Sequence, residues 1–406
     1  MSIFDIWTQA ALGTQEPPTR EELDAYHLQR LNALLEHVRE HSIFYRSYPT
    51  RISSLEEIEQ LPTISAKDIG SHGNQMLCVS QSDIDRVLTV ESSGTTGEAK
   101  RLFFTGEDME STVAFFAQGF FELIRPGDVV LVLFPCWREH SVGTLIGKAL
   151  VRMGARPVLC GPNQTFAAMC RLIETEQVNA IASLPTMALS LARYGLARGL
   201  QIRMKSLLIS GDYLSEYVRQ ELEDIWDCKV FNHYGLAESG LGLALECPYH
   251  EGMHLRERDM YVEVLGPDGK KVPDGTWGEL TLTTLNRRGM PLIRYRTGDR
   301  ARILSKPCAC GSFLKRIDRI AGRIEEKTKK LPVYDLDEQI FALSREIVDF
   351  MAQIGSDQSK FHVLSDAPEE QVCAWIQTVQ PNATVQVFHL EDAKPLCLGK
   401  RAFLHD

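Results

Sequence analysis

The chain has 406 residues, 44% hydrophobic and 24% charged, a balance that suits two or three core-forming units of a soluble protein. A formal net charge of −10 excludes a general nucleic-acid or anionic-membrane surface, which needs a basic face. Asp5 and the lack of a basic run argue against a signal peptide, and the longest apolar run, Val129 to Phe134, is far too short to cross a bilayer. Ten cysteines in a chain this large do not form a secreted disulfide pattern, so the expectation is a cytoplasmic protein with no membrane or nucleic-acid partner.

In chain order, residues 20–48 carry apolar side chains at helical spacing and predict one long amphipathic helix. From about Asp128, short β-branched runs (129–134, 156–160, 178–184, 204–210, 228–235) alternate with helical patterns (144–155, 165–177, 186–199, 215–226). Strands alternating with helices imply a mainly parallel sheet covered by helices, with ligands bound by loops at the carboxyl ends of the strands. Residues 261–285 alternate and are rich in Gly-Asp turn signals, which predicts antiparallel hairpins in a β-rich subdomain at about 254–318. The last part reads as a small α+β unit, with helices over 335–353 and strands over 360–365 and 384–390. The fold class is therefore α/β, with a large N-terminal domain over 1–322 and a small mobile C-terminal domain over 323–406.

Five stretches draw attention to chemistry. "SSGTTGEAK" packs Ser92, Ser93, Gly94, Thr95, Thr96 and Gly97 ahead of Lys100. Hydroxyls and bare amides of this kind suit an anion, although the spacing is not that of the usual NTPase P-loop. "FNHYGLAESG" places Tyr234 and Glu238 at the end of a predicted strand, where a carboxylate can hold a divalent cation. "RYRTGDRARI" contains Asp299, a carboxylate able to accept two hydroxyl hydrogens from a ribose diol. "RIAGRIEE" carries Arg323, and "CLGKRAF" carries Lys400 on a glycine-containing loop. Taken singly, each is equally consistent with a polar turn.

Taken in order, they resemble the adenylate-forming superfamily of acyl-CoA synthetases, and most closely its phenylacetate–CoA ligase branch. The resemblance runs from about Leu28 to the end of the chain. It implies that Ser92 to Gly97 and Lys100 hold the ATP phosphates and that Glu238 binds Mg²⁺. Gly211, Asp212 and Asn232, His233, Tyr234 and Gly235 flank adenine, while Asp299 and Arg323 hold the ribose. Lys400 bridges the substrate carboxylate and the α-phosphate, and Glu325 takes the hinge position. Trp137, His140 and Pro185 resemble lining residues of the carboxylate pocket, with ordinary packing as the alternative. The implied reaction is activation of a small carboxylic acid by ATP, with pyrophosphate leaving, followed by transfer to coenzyme A.

Two features stand apart. Cys247 and His250 form a C-x-x-H, and Cys308 and Cys310 a C-x-C, a set of four ligands that suits structural tetrahedral Zn²⁺. Unrelated thiols and a surface histidine are the alternative. The stretch after Glu325, "EEKTKKLPVYDLDEQ", lacks the glycine that CoA-using relatives carry there, so adenylation is the safer half of the expectation. An enzyme that stops at the adenylate, or passes the acyl group to a carrier protein, stays open, as does a homodimer. A nucleotide-binding protein without turnover is disfavoured by Glu238, Asp299, Arg323 and Lys400 occurring together.

Overall fold

In a computed structural model of the protein, residues 2–90, 99–324, 333–355, 357–400 and 404–405 are described, with 333–334 and 404–405 by backbone alone. The β-branched runs form strands where the sequence places them. Val129–Val132, Arg156–Leu159, Ala180–Ser183 and Ser206–Ser210 pair in parallel, in the spatial order 206–210, 180–183, 129–132, 156–159. Parallel pairing needs long crossovers, and helices Val142–Arg152, Phe166–Thr175 and Pro185–Ala197 supply them. Ala180–Ser183 is buried along its whole length, as expected of a strand covered on both faces. The expected α/β class is borne out.

These strands belong to a compact unit made of Leu123–Asn232 and Thr328–Asp406. Its later part contains helix Val333–Phe341, strands Asp349–Ile354, Ser359–Leu364 and Ala383–Phe388, and helix Glu369–Val379. The helical reading of 335–353 is thus corrected: the helix stops at Phe341, and 349–354 is a strand paired antiparallel with 359–364. The cause lies far away in sequence. Arg193, fully buried on helix Pro185–Ala197, donates Nη1 to the carbonyls of Ser344 and Ile347 and Nη2 to that of Phe341. Those bonds fix a turn where helical periodicity alone would continue. Phe166, Trp226, Phe341, Phe350 and Phe361 lie in one continuous apolar core of this unit.

The other compact unit comprises Met1–Glu122 and His233–Lys327. Its long helix spans Arg20–His41, shorter than expected, and opens with a Thr19/Glu22 capping box. Strands Arg86–Val90 and Lys100–Phe104 form an antiparallel hairpin with Val90 opposite Lys100, so the Ser/Thr/Gly stretch connects two strands of one hairpin. Helix Gly106–Phe120 follows, also capped by its own box at Thr105 and Asp108. The strand Lys229–Tyr234 enters this unit at His233. There its end pairs antiparallel with Ala244–Glu246, which pairs with Met253–Leu255, which pairs with Arg316–Ile317. Strands Met260–Leu265, Gly278–Thr284 and Tyr295–Ala301 make the expected antiparallel sheet. Neither compact unit is bounded at 322/323; the last boundary between them falls between Lys327 and Thr328.

Candidate active site

In the unit of Met1–Glu122 and His233–Lys327, two short segments face one another: Tyr234 with the turn that follows it, and the strand Tyr295–Ala301. The turn is tight. A Cβ on Gly235 would lie 2.1 Å from the Leu241 carbonyl oxygen, so no other residue fits and Glu238 folds back over the strand end. The strand is bulged between the pairs Thr281↔Arg296 and Glu279↔Arg300. Bulges re-aim side chains, and this one turns Asp299 toward Tyr234.

The result is a reciprocal pair of phenol–carboxylate bonds. Tyr234 on the turn donates its hydroxyl to Asp299 Oδ2 at 2.6 Å, and Tyr295 on the strand donates to Glu238 Oε1 at 2.6 Å. Each segment thus contributes one tyrosine and one carboxylate. Around this frame the cations gather. Lys100 forms an ion pair with Glu238, its Nζ 3.5 Å from the Tyr295 hydroxyl. Arg323 Nη1 donates to Asp299 Oδ1 at 3.0 Å, and it can lie there because Gly298, at φ +75°, has no side chain: a Cβ would stand 2.9 Å from Arg323 Nη2. Arg287 donates Nη1 to the main-chain carbonyl of Glu238 at 2.7 Å, and its guanidinium sits 4.1 Å from the Phe104 ring centre.

The electrostatics follow from burial. Glu238 is 3% exposed. Burial pushes its carboxyl up, but the Lys100 ammonium and the Tyr295 hydroxyl outweigh that and hold it below the ordinary carboxylate range. Burial, reinforced by the neighbouring carboxylates, raises both phenols, so Tyr234 and Tyr295 stay protonated donors. Burial lowers Arg287 to about 10, which leaves it a cation at neutral pH. A dry carboxylate with one removable cation beside it is a hard-oxygen site of the kind that suits Mg²⁺. Asp299 retains lone pairs beyond the two bonds it accepts, as a diol-binding carboxylate needs.

The remaining expected residues fall as follows. Ser92 to Gly97 and Glu325 lie outside the described residues. His233 is packed between Phe115 and Phe116, each ring centre 5.9 Å away, and burial lowers its imidazole to about 4. In the other unit, Gly211 (φ +88°) and Asp212 follow strand Ser206–Ser210, and Asn232 lies within strand Lys229–Tyr234. Asp212 Oδ1 accepts from the Tyr213 amide at 2.9 Å. Trp137 is 66% exposed, His140 has φ +62°, and Pro185 is the first residue of its helix. Lys400 is exposed. Tyr295 and Arg287 carry no role in the sequence reading. Tyr295 stood inside a quoted motif, and only its partner Glu238, 57 residues away, reveals its use.

A second constellation lies in the same unit as the tyrosine–carboxylate frame. Ligand atoms of Cys247, His254, Cys308 and Cys310 all fall within 4.8 Å of one another. The Cys247 and Cys308 sulfurs are 3.7 Å apart, and Cys310 Sγ is 3.4 Å from His254 Nε2. Two thiolates bound at about 2.3 Å to one tetrahedral ion would stand roughly 3.8 Å apart, so the donors fit zinc. The histidine is His254, not the expected His250, whose Nδ1 instead lies 3.2 Å from Glu246 Oε2. The hairpin explains the exchange: strand Met253–Leu255 returns antiparallel with His254 opposite Leu245, which brings it back beside Cys247.

This fold and site define an adenylate-forming enzyme. The family described as AMP-binding enzyme matches residues 28–286, and the chain belongs to it. It is 28% identical to the phenylacetate-coenzyme A ligase of Thermus thermophilus over 329 residues, 76% of this chain and 72% of that one. To the phenylacetate-coenzyme A ligase of Pseudomonas putida it is 26% identical, covering 80% of this chain and 76% of that one. A crystal structure of 2-hydroxyisobutyryl-CoA ligase in the postadenylation state shares the fold, with a TM-score of 0.77, 21% identity, and coverage of 95% and 90%. The expectation of an AMP-forming ligase of the phenylacetate–CoA ligase-like branch is borne out.

Proposed function

We propose that the protein activates a small carboxylic acid with ATP, releasing pyrophosphate, and then transfers the acyl group from the adenylate to coenzyme A. The observation that carries this reading is the reciprocal Tyr234–Asp299 and Tyr295–Glu238 frame. It assembles Lys100, Glu238, Asp299 and Arg323 from four separate stretches. Mg²⁺ held by Glu238 would supply positive charge to the phosphates, and Lys100 would add a second. Asp299, oriented by Tyr234 and Arg323, accepts the ribose hydroxyls. Gly211, Asp212 and Asn232 take the adenine-flanking role, and Trp137, His140 and Pro185 the acyl side. No side-chain nucleophile is needed: two anions must be brought together and the charge that builds between them neutralised.

In this reading residues 323–406 move between the two half-reactions and Lys400 serves only the first. Carboxylate-dependent ATP–pyrophosphate exchange tests the reading directly. Lys400→Ala should reduce that exchange by ~10²–10³ while ATP binding stays nearly intact. Full exchange activity in Lys400→Ala would remove the lysine from the mechanism, and no exchange with any acid in a broad panel would remove the function. The glycine-free stretch after Glu325 favours a second reading, transfer to a carrier protein or release of the adenylate. Exchange without any acyl-CoA when coenzyme A is supplied would establish it. A cytoplasmic setting accords with ten free cysteines and, among the described residues, no helix long and apolar enough to cross a membrane.

Zinc completes the proposal. Cys247, His254, Cys308 and Cys310 would close the coordination shell, leaving no open position, so the ion is structural. Protein purified without chelator should carry about one zinc per chain by elemental analysis. Cys308→Ser should lose the metal and lower stability more than it slows exchange by the folded fraction.

A further inference from the structure

The mechanism uses Glu238 as a metal ligand, yet its carboxylate already has a cation. Lys100 pairs with Oε1, the same oxygen to which Tyr295 donates. A carboxylate this deeply buried must be paired or it would take up a proton, so some positive charge has to stand there when no nucleotide is bound. Two are within reach, and they differ in kind. The Arg287 guanidinium is fixed: it is 8% exposed, lies over the Phe104 ring, and bonds the main-chain carbonyl of Glu238, not the carboxylate. Its Nη2 has no hydrogen-bond partner among the described residues. Lys100, by contrast, is a point charge on a four-carbon arm, with its side chain 17% exposed, at the first position of its strand.

We propose that Lys100 is a resident stand-in for the divalent cation. In the nucleotide-free protein its ammonium neutralises Glu238, and on loading it yields the carboxylate to the metal and turns to the phosphate oxygens. The inference rests on the adenylating function given above. The carboxylate is never left without a counter-cation, because one leaves as another arrives, the divalent ion bringing one more positive charge than the ammonium. Arg287 stays behind, holding the Glu238 turn in place through its bond to the main-chain carbonyl. Tyr295 keeps its hydrogen bond and fixes the direction of Oε1. A consequence is that metal alone should bind poorly, since it must displace Lys100 with nowhere for the ammonium to go.

The test uses nucleotide-free full-length protein and Mn²⁺ at pH 8, with free Mn²⁺ read by electron paramagnetic resonance. Lys100→Met should bind Mn²⁺ roughly tenfold more tightly than the native chain. The double variant Lys100→Met/Glu238→Gln should lose that gain. Affinity in Lys100→Met no tighter than native, or a gain that survives Glu238→Gln, would overturn the proposal. Should Lys100→Met fail to fold, Lys100→Arg decides: it keeps the charge, so Mn²⁺ affinity should stay at or below the native value, and tightening would count against the stand-in. Exchange activity of the native chain is scored separately. A native chain with exchange but no Lys100 effect on Mn²⁺ refutes the stand-in alone; a Lys100 effect without exchange refutes the adenylating function alone.

Discussion

Arg193 and Arg287 are both buried, one in each compact unit, but their hydrogen-bonding groups are used differently. Both Nη nitrogens of Arg193 are engaged, with the carbonyls of Phe341, Ser344 and Ile347, the Tyr217 hydroxyl and the Glu221 carboxylate. Only its Nε lacks a partner among the described residues. Glu221 is further clamped by Arg345. Among the described residues Arg287 makes one hydrogen bond, to a main-chain carbonyl, and leaves Nη2 without a partner. A buried cation that fills its donors fastens chain segments together. One that does not is tolerated where its charge, and not its bonding, is wanted. Arg193 therefore belongs to folding and Arg287 to the site.

The comparison breaks most sharply at the carboxylate Arg287 serves. Glu238→Gln keeps the shape and the Tyr295 contact but removes the charge. Carboxylate-dependent ATP–pyrophosphate exchange should fall by ~10²–10³, with a loss of unfolding free energy of about 1–3 kcal/mol because Lys100 loses its buried partner. A variant that exchanges at the native rate would place the metal elsewhere. Next is Arg193→Met, which takes the guanidinium from three carbonyls and from the buried Glu221 carboxylate, although the Phe341 carbonyl keeps the Tyr217 hydroxyl and the Ser344 carbonyl the Ile347 amide. Urea unfolding should show a loss of about 3 kcal/mol, while exchange per folded molecule stays native. A loss of activity with stability intact would reverse the assignment. Arg287→Lys sharpens the contrast. It keeps a charge but not the planar fork, so the Glu238 turn loosens. Exchange should drop roughly tenfold with only about 1 kcal/mol of stability lost.

How much of this was legible beforehand varies with the distance over which each feature is decided. The parallel strands and their helices were readable because their signals are local: β-branched runs and amphipathic spacing. The motif residues Tyr234, Glu238 and Asp299 were visible as residues, since turn glycines mark them. Their pairing was not visible, because Tyr234–Asp299 and Tyr295–Glu238 join positions 65 and 57 apart and depend on a bulge in the second segment. The cysteine–histidine cluster shows the same limit at short range. C-x-x-H spacing points to His250, but antiparallel register opposite Leu245 selects His254. The misread helix over 335–353 is the clearest tertiary override. Its helical periodicity is genuine to Phe341, and Arg193, about 150 positions earlier, ends it.

The smallest effect concerns His233, a residue of the expected adenine segment whose ring packs against two phenylalanines. Its ring fills the space between Phe115 and Phe116, and burial lowers its pKa from 6.5 to about 4. Above pH 6.5 the imidazole is neutral in both folded and unfolded chains and contributes no pH dependence. Between pH 6.5 and about 4 the unfolded chain takes up a proton that the folded chain refuses. Stability therefore falls as pH falls through that window and levels off below it. From pH 7 to pH 5.5 the loss traceable to this one residue is about 1 kcal/mol. His233→Asn should lower stability at both pH values through lost packing but flatten the difference between them by that amount. Urea midpoints for the two chains at the two pH values measure it. An unchanged slope would mean that the folded protein lets His233 charge, and that the packing around it opens more readily than its burial implies.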